Sequence, residues 1–114
     1  MESLVNEYIG EIGFTKIAES VEGYVVDLGY FMSEKYWNKG IMTEAVKALA
    51  KYAFTILNVA KIESSCYEEN RASEMVMKNV GMIKEGHIRK HSEHNGQLKD
   101  RVVYGLLKSE WKMK

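Results

Sequence analysis

The stretch from Gly29 to Ala45, GYFMSEKYWNKGIMTEA, runs from a strand-like segment into a helical one. A helix that begins near Lys39 leaves the backbone N–H groups of its first turn without partners inside the helix. Those groups, at the positive end of the helix dipole, make a site for an anion such as a pyrophosphate. Gly40 has no Cβ, so the backbone there can come close to such a ligand. One glycine at a strand-to-helix turn is weak evidence, and on its own it reads more readily as an ordinary tight connection.

Further along, Asn70 stands where it can cap a second helix, with Ser73 in the first turn. His87, His91 and His94 lie close in sequence. Strand alternation puts the first two on one face and the third on the other, so they cannot meet at one ion unless the strand bulges. Solvated strand histidines, and no metal, are the expectation. Cys66 reads as a small core residue, and Met75, Met77 and Met82 as core or pocket lining. Tyr36 and Trp37 either pack under their loop or cover a ligand.

The elements that must position these residues follow from hydrophobic period and turn chemistry. Tyr8 to Ala18 alternates well enough for a strand; Glu19 to Gly23 turns, and Tyr24 to Met32 forms a second strand. From Lys39 to Leu57 the period becomes helical, with Ile41, Ala45, Ala48, Leu49, Tyr52, Ala53 and Ile56 on one face. Lys61 to Tyr67 is a third strand. A helix capped by Asn70 runs to Asn79 and stops at Gly81. Ile83 to His94 and Leu98 to Leu107 make a hairpin through Asn95-Gly96. The expected fold is α/β (α+β in some schemes): a mixed central sheet with chain order β-β-α-β-α-β-β and two flanking helices.

The chain has 114 residues, enough for a single domain over 1–114. Forty-six per cent are hydrophobic, which permits a packed core. Sixteen basic and sixteen acidic residues give a formal charge of zero, without a long run of either sign. Neither nucleic acid nor a membrane surface is an expected partner. There is no signal-peptide pattern, no membrane-length apolar run and one cysteine, so a cytoplasmic location is expected.

The Gly29–Ala45 segment resembles the acetyl-CoA motif of the GNAT acetyltransferases, especially the branch with the ribosomal-protein N-terminal acetyltransferases. In that branch a "GY" strand leads through an aromatic loop to a "GKGxxTEA"-like turn. Gly40 matches. Trp37 and Met42 depart from the strict form, and Asn38 stands where many relatives have glycine. Asn70-Arg71-Ala72-Ser73, Met77 to Met82 and Glu85-Gly86 resemble the family's "NxxS…K.GF..EG" element. Asp100 to Tyr104, followed by Glu110-Trp111, resembles its closing "D.v.Y" strand. The three matches occur in family order and, with the strands between them, span Ile9 to Trp111.

The resemblance implies transfer of an acetyl group from acetyl-CoA to an amine. Backbone N–H groups near Phe31 and Met32 would polarise the thioester carbonyl. Trp37, Asn38, Lys39, Gly40, Ile41, Met42 and Thr43 would form the pyrophosphate turn. Asn70 would hold the pantetheine arm. Ser73 would lie near the sulfur as acid, or simply stabilise its helix start. The branch's base falls on Ser92, with Glu93 beside it as the candidate; Glu34 with a water relay is the substitute.

Relatives carry a strand, two helices and another strand before this segment, and Leu4-Val5-Asn6-Glu7 resembles the tail of that piece. The expectation is an open edge on the first strand, covered by a second copy in a homodimer. A shortened chain or an inactive half-domain are the alternatives. The rival to an enzyme is a non-catalytic CoA-binding or assembly module derived from a GNAT domain. A small nucleic-acid module ranks last, for want of a basic face.

Overall fold

Alternating apolar residues on the early strands leave one sheet face to be covered, and the helices that follow supply the cover. The computed structural model describes residues 10–34 and 40–112. Strands β1 (Gly10–Ser20) and β2 (Gly23–Met32) form a hairpin closed at Ser20↔Gly23. Helix α1 (Ile41–Thr55), strand β3 (Val59–Tyr67) and helix α2 (Arg71–Val80) follow. Strands β4 (Ile83–His94) and β5 (Gln97–Leu107) and a short helix α3 (Lys108–Lys112) complete the described chain. The five-stranded sheet has the order β1-β2-β3-β5-β4, with β2–β3 parallel and the other pairs antiparallel.

Every second residue of the inner strands points to the helices: Val26 and Leu28 on β2, Ile62 and Cys66 on β3, Val102, Tyr104 and Leu106 on β5. They pack on Met42, Val46, Ala50, Ala53 and Phe54 of α1 and Met77 and Val80 of α2. The buried stripe of α1 is therefore not the expected one. It starts at Met42, one position (about 100°) from Ile41, leaving Ala48, Tyr52 and Ile56 exposed. Ile41, Ala45 and Leu49 flank the stripe, half-buried.

The punctuation residues act as expected. Asn70 caps α2, and Gly81 closes it in the left-handed region at φ 97°. Asn95 and Gly96 both have positive φ, 52° and 80°, as a two-residue primed turn requires. Strand β3 starts at Val59, before the expected Lys61, and β1 runs on to Ser20. Tyr8, Ile9 and the Leu4–Glu7 segment lie outside the described residues. The third helix was not expected: five residues are too few for a periodic signal. Its Trp111 ring sits 5.3 Å from that of Phe54, sealing the end of α1. No helix among the described residues is long and apolar enough to cross a membrane.

Candidate active site

The parallel ladder between β2 and β3 runs from Tyr24↔Val59 to Asp27↔Glu63 and stops, although β2 continues to Met32 and β3 to Tyr67. Over that stretch β2 stays paired with β1, as far as Gly10↔Met32, and β3 with β5, as far as Tyr67↔Arg101. The facing edges of β2 and β3 thus part into a fork. Backbone groups along such an edge are free to pair with an extended ligand as though it were another strand. At the crotch, the buried Ser64 hydroxyl donates to the Leu28 carbonyl at 2.9 Å. Phe31, further out on β2, is 59% exposed. Asp27, at the last ladder step, has its pKa raised by burial and by Glu63, with Arg101 opposing.

Helix α1 opens on Gly40, which sits in the left-handed region (φ 73°) and supplies no side-chain cap. A Cβ built at Gly40 would meet no atom of the described residues beyond its chain neighbours within 4 Å. Glycine is thus favoured here by backbone angle and not by crowding from the described residues. The exposed, dipole-enriched helix start fits a phosphate group. Met42 is buried in the core and Ile41 packs against it, so at this turn their side chains are turned to the core. Thr43 is half-buried. Trp37, Asn38 and Lys39, with Tyr36, lie outside the described residues.

Asn70 Oδ1 accepts the Ser73 backbone N–H at 3.1 Å, a cap that fixes the first turn of α2. The Ser73 side chain does not cap the helix. Its hydroxyl donates to the Tyr30 hydroxyl at 2.8 Å, and the Tyr30 hydroxyl donates to the Ser73 carbonyl, also at 2.8 Å. Tyr30 thereby ties the fork strand to the start of α2, a link with no local signal because 43 residues separate the two. Burial pushes the Tyr30 phenol up to about 12, with the Ser73 bond opposing. Cys66 is buried and its thiol is pushed up by burial, as suits a core residue.

Glu93 is placed at the β4–β5 hairpin tip, where its carboxylate accepts the Gly96 N–H at 2.7 Å. That bond occupies the carboxylate with its own turn. Ser92 bonds the His91 ring at 2.7 Å. Glu34, just past β2, is exposed. Sequence reading passed over Glu11, which with Ile12, Gly13, Gly29, Tyr30 and Phe31 lines an open cleft of about 400 Å³ on β1 and β2. Only its register with Phe31 puts it there.

Register pairs His87 with Val102 and His94 with Gln97, an odd number of steps apart on β5. These two therefore lie on opposite faces as expected, even though β4 shifts register between Ile88 and Ser92, where Lys90 takes a positive φ of 48°. All three are exposed and go separate ways. His94 stacks on Tyr67, ring centres 4.8 Å apart. His87 Nε2 lies 2.8 Å from Asp100 Oδ2 and 3.7 Å from Glu68 Oε2. Asp100 also accepts the Lys90 backbone N–H, and that bond, with His87, holds its carboxyl below the usual range. Glu68, His87 and Asp100 thus form a surface cluster of three potential ligand groups midway along the hairpin.

Residues 2–83 match the model of the acetyltransferase (GNAT) domain. The chain belongs to the GNAT acetyltransferase family. Among its GNAT relatives, an uncharacterized N-acetyltransferase of Bacillus licheniformis, p20, is 35% identical over 106 residues, covering 93% of this chain and 58% of p20. The ribosomal protein uS5-alanine N-acetyltransferase of Escherichia coli is 27% identical over 105 residues, covering 92% and 54%. The crystal structure of a GNAT-family acetyltransferase from Bacillus anthracis superposes with a TM-score of 0.81 at 33% identity, covering 94% of this chain and 63% of that one. The GNAT resemblance expected from the Gly40 and Asn70 motifs holds, as does the mixed α/β sheet. This chain spans about half the length of the curated relatives it matches, from 44% to 59%.

Proposed function

We propose that this GNAT domain transfers the acetyl group of acetyl-CoA to a primary amine. The observation that carries the reading is the end of the β2–β3 ladder at Asp27↔Glu63, on a strand that leads towards the uncapped Gly40 turn. A pantetheine arm can enter the fork as an extra strand, and a pyrophosphate can sit on the first-turn amides of α1. Consecutive N–H groups on a strand point to opposite edges, so of Phe31 and Met32 the one whose N–H faces away from β1 polarises the thioester carbonyl. Asn70 holds the arm, and the Ser73 hydroxyl gives its proton to the departing sulfur.

The acceptor enters over the cleft that Glu11 lines, and Glu11 takes the amine proton directly or through water. This moves the base from Glu93, whose carboxylate is engaged by Gly96. The relatives named for ribosomal-protein acetylation support a peptide N-terminus as acceptor, and small amines share its chemistry. Domain 1–114 acts in the cytoplasm without a metal, as a homodimer in which a second copy pairs along β1, an outer strand of the described sheet.

The rival reading, a CoA-binding or assembly module without turnover, is favoured by the engagement of Glu93 in its turn. Release of CoA thiol from acetyl-CoA, followed with a panel of peptide N-termini and small amines, separates the two. Amine-dependent release is expected; saturable acetyl-CoA binding with no release from any amine would favour the module.

A further inference from the structure

We infer that Tyr30 is the positioning residue for Ser73, switching one hydrogen bond as the leaving thiolate is protonated. The inference rests on the acetyl-transfer reading with Ser73 as acid.

A serine in the first turn of a helix ordinarily chooses among rotamers, and its hydroxyl often turns back to a nearby backbone carbonyl. Here the Ser73 hydroxyl instead donates to Tyr30, from a strand 43 residues away, at 2.8 Å. The Tyr30 oxygen can accept because its own proton is given to the Ser73 carbonyl, also at 2.8 Å. Both acceptors, the carbonyl and Oγ, therefore lie at the same distance from one phenol oxygen. Rotation about the phenol C–O bond moves its proton from one to the other without displacing a heavy atom.

The switch matters when Ser73 acts. The amine nitrogen bonds to the acetyl carbon, the C–S bond breaks, and the Ser73 proton passes to sulfur. Oγ is left with developing negative charge until the proton taken from the amine is returned to it. A phenol O–H already 2.8 Å away and half-buried stabilises that charge, as preorganised donors do for other oxyanions. Because Tyr30 precedes Phe31 on β2, one stretch of strand holds both the carbonyl-binding amide and the partner of the acid.

The test uses the full chain in four forms: unsubstituted, Tyr30→Phe, Ser73→Ala and the double variant. Steady-state CoA release and acetyl-CoA titration are measured for each, with circular dichroism as a check on folding. Tyr30→Phe is expected to lower kcat about 10- to 100-fold, with acetyl-CoA affinity within about twofold. The double variant is expected to be no slower than Ser73→Ala, because Tyr30 acts only through that hydroxyl. A double variant slower by the product of the single effects overturns the inference, as does a Tyr30→Phe loss confined to KM or to folding. An unchanged kcat in Tyr30→Phe with a slow Ser73→Ala overturns it while sparing Ser73 as acid. An unchanged kcat in Ser73→Ala, or no turnover with any amine, removes the underlying reading and this inference with it.

Discussion

The Ser64 hydroxyl donates to the Leu28 carbonyl at the place where β2 and β3 stop pairing. Ser64 is 1% exposed, so this side chain stands in for the ladder bond that the fork gives up. Ser64→Ala leaves a buried carbonyl without its donor, at a cost of about 1–3 kcal/mol. Urea unfolding should show a lower Cm with an unchanged slope. Because the bond holds the crotch of the fork, acetyl-CoA affinity should fall as well. An unchanged Cm would mean the Leu28 carbonyl finds another donor.

Asn70 separates two jobs that one residue could do. Asn70→Ala removes the bond to the Ser73 N–H and should cost about 1 kcal/mol of stability. Asp is as good a cap, so Asn70→Asp should keep that stability while losing the side-chain amide donor. If Asn70 also holds the pantetheine arm, Asn70→Asp weakens acetyl-CoA binding in a chain of normal stability. Equal affinity in the Asp variant would leave Asn70 as a cap alone.

Alkaline titration tests the buried phenols. Tyr30 and Tyr104 are both pushed up to about 12, Tyr30 by burial and Tyr104 by burial and its bond to Glu74. A folded pKa raised above the unfolded 10.0 adds stability that is complete below pH 10 and lost as pH rises through about 12. Ultraviolet titration of the folded chain should show phenols ionising well above pH 10. Tyr30→Phe should remove one late-titrating group, and its survival in the variant would contradict the assignment.

Much of the scaffold could be read from local chemistry. Asn70 and Gly81 bracket α2 because capping and left-handed closure act within a turn, and Asn95-Gly96 fixes the hairpin for the same reason. The buried face of α1 was legible only to within one residue. Its stripe is made of Met42, Val46, Ala50 and Phe54, and neighbouring Ile41, Ala45 and Leu49 are apolar too. The site was half legible. The Gly40 turn is local, whereas the Tyr30–Ser73 bond, the Ser64 wedge and Glu11 beside Phe31 depend on register between distant segments. The opposite faces of His87 and His94 survive the irregularity before Ser92, since β4 advances four residues there against two on β5, an even excess.

Titration of the chain with acetyl-CoA, beside its Gly40→Val variant, tests the central claim most directly. Valine at φ 73° strains the turn by about 1–2 kcal/mol, yet its Cβ meets no atom of the described residues beyond its chain neighbours, on the side proposed for the pyrophosphate. Saturable one-to-one binding by the unsubstituted chain, lost in a folded Gly40→Val variant, is the predicted result. Absence of binding at high ligand concentration, or the same affinity in both, would contradict an acetyl-CoA site built on the β2–β3 fork and the Gly40 turn.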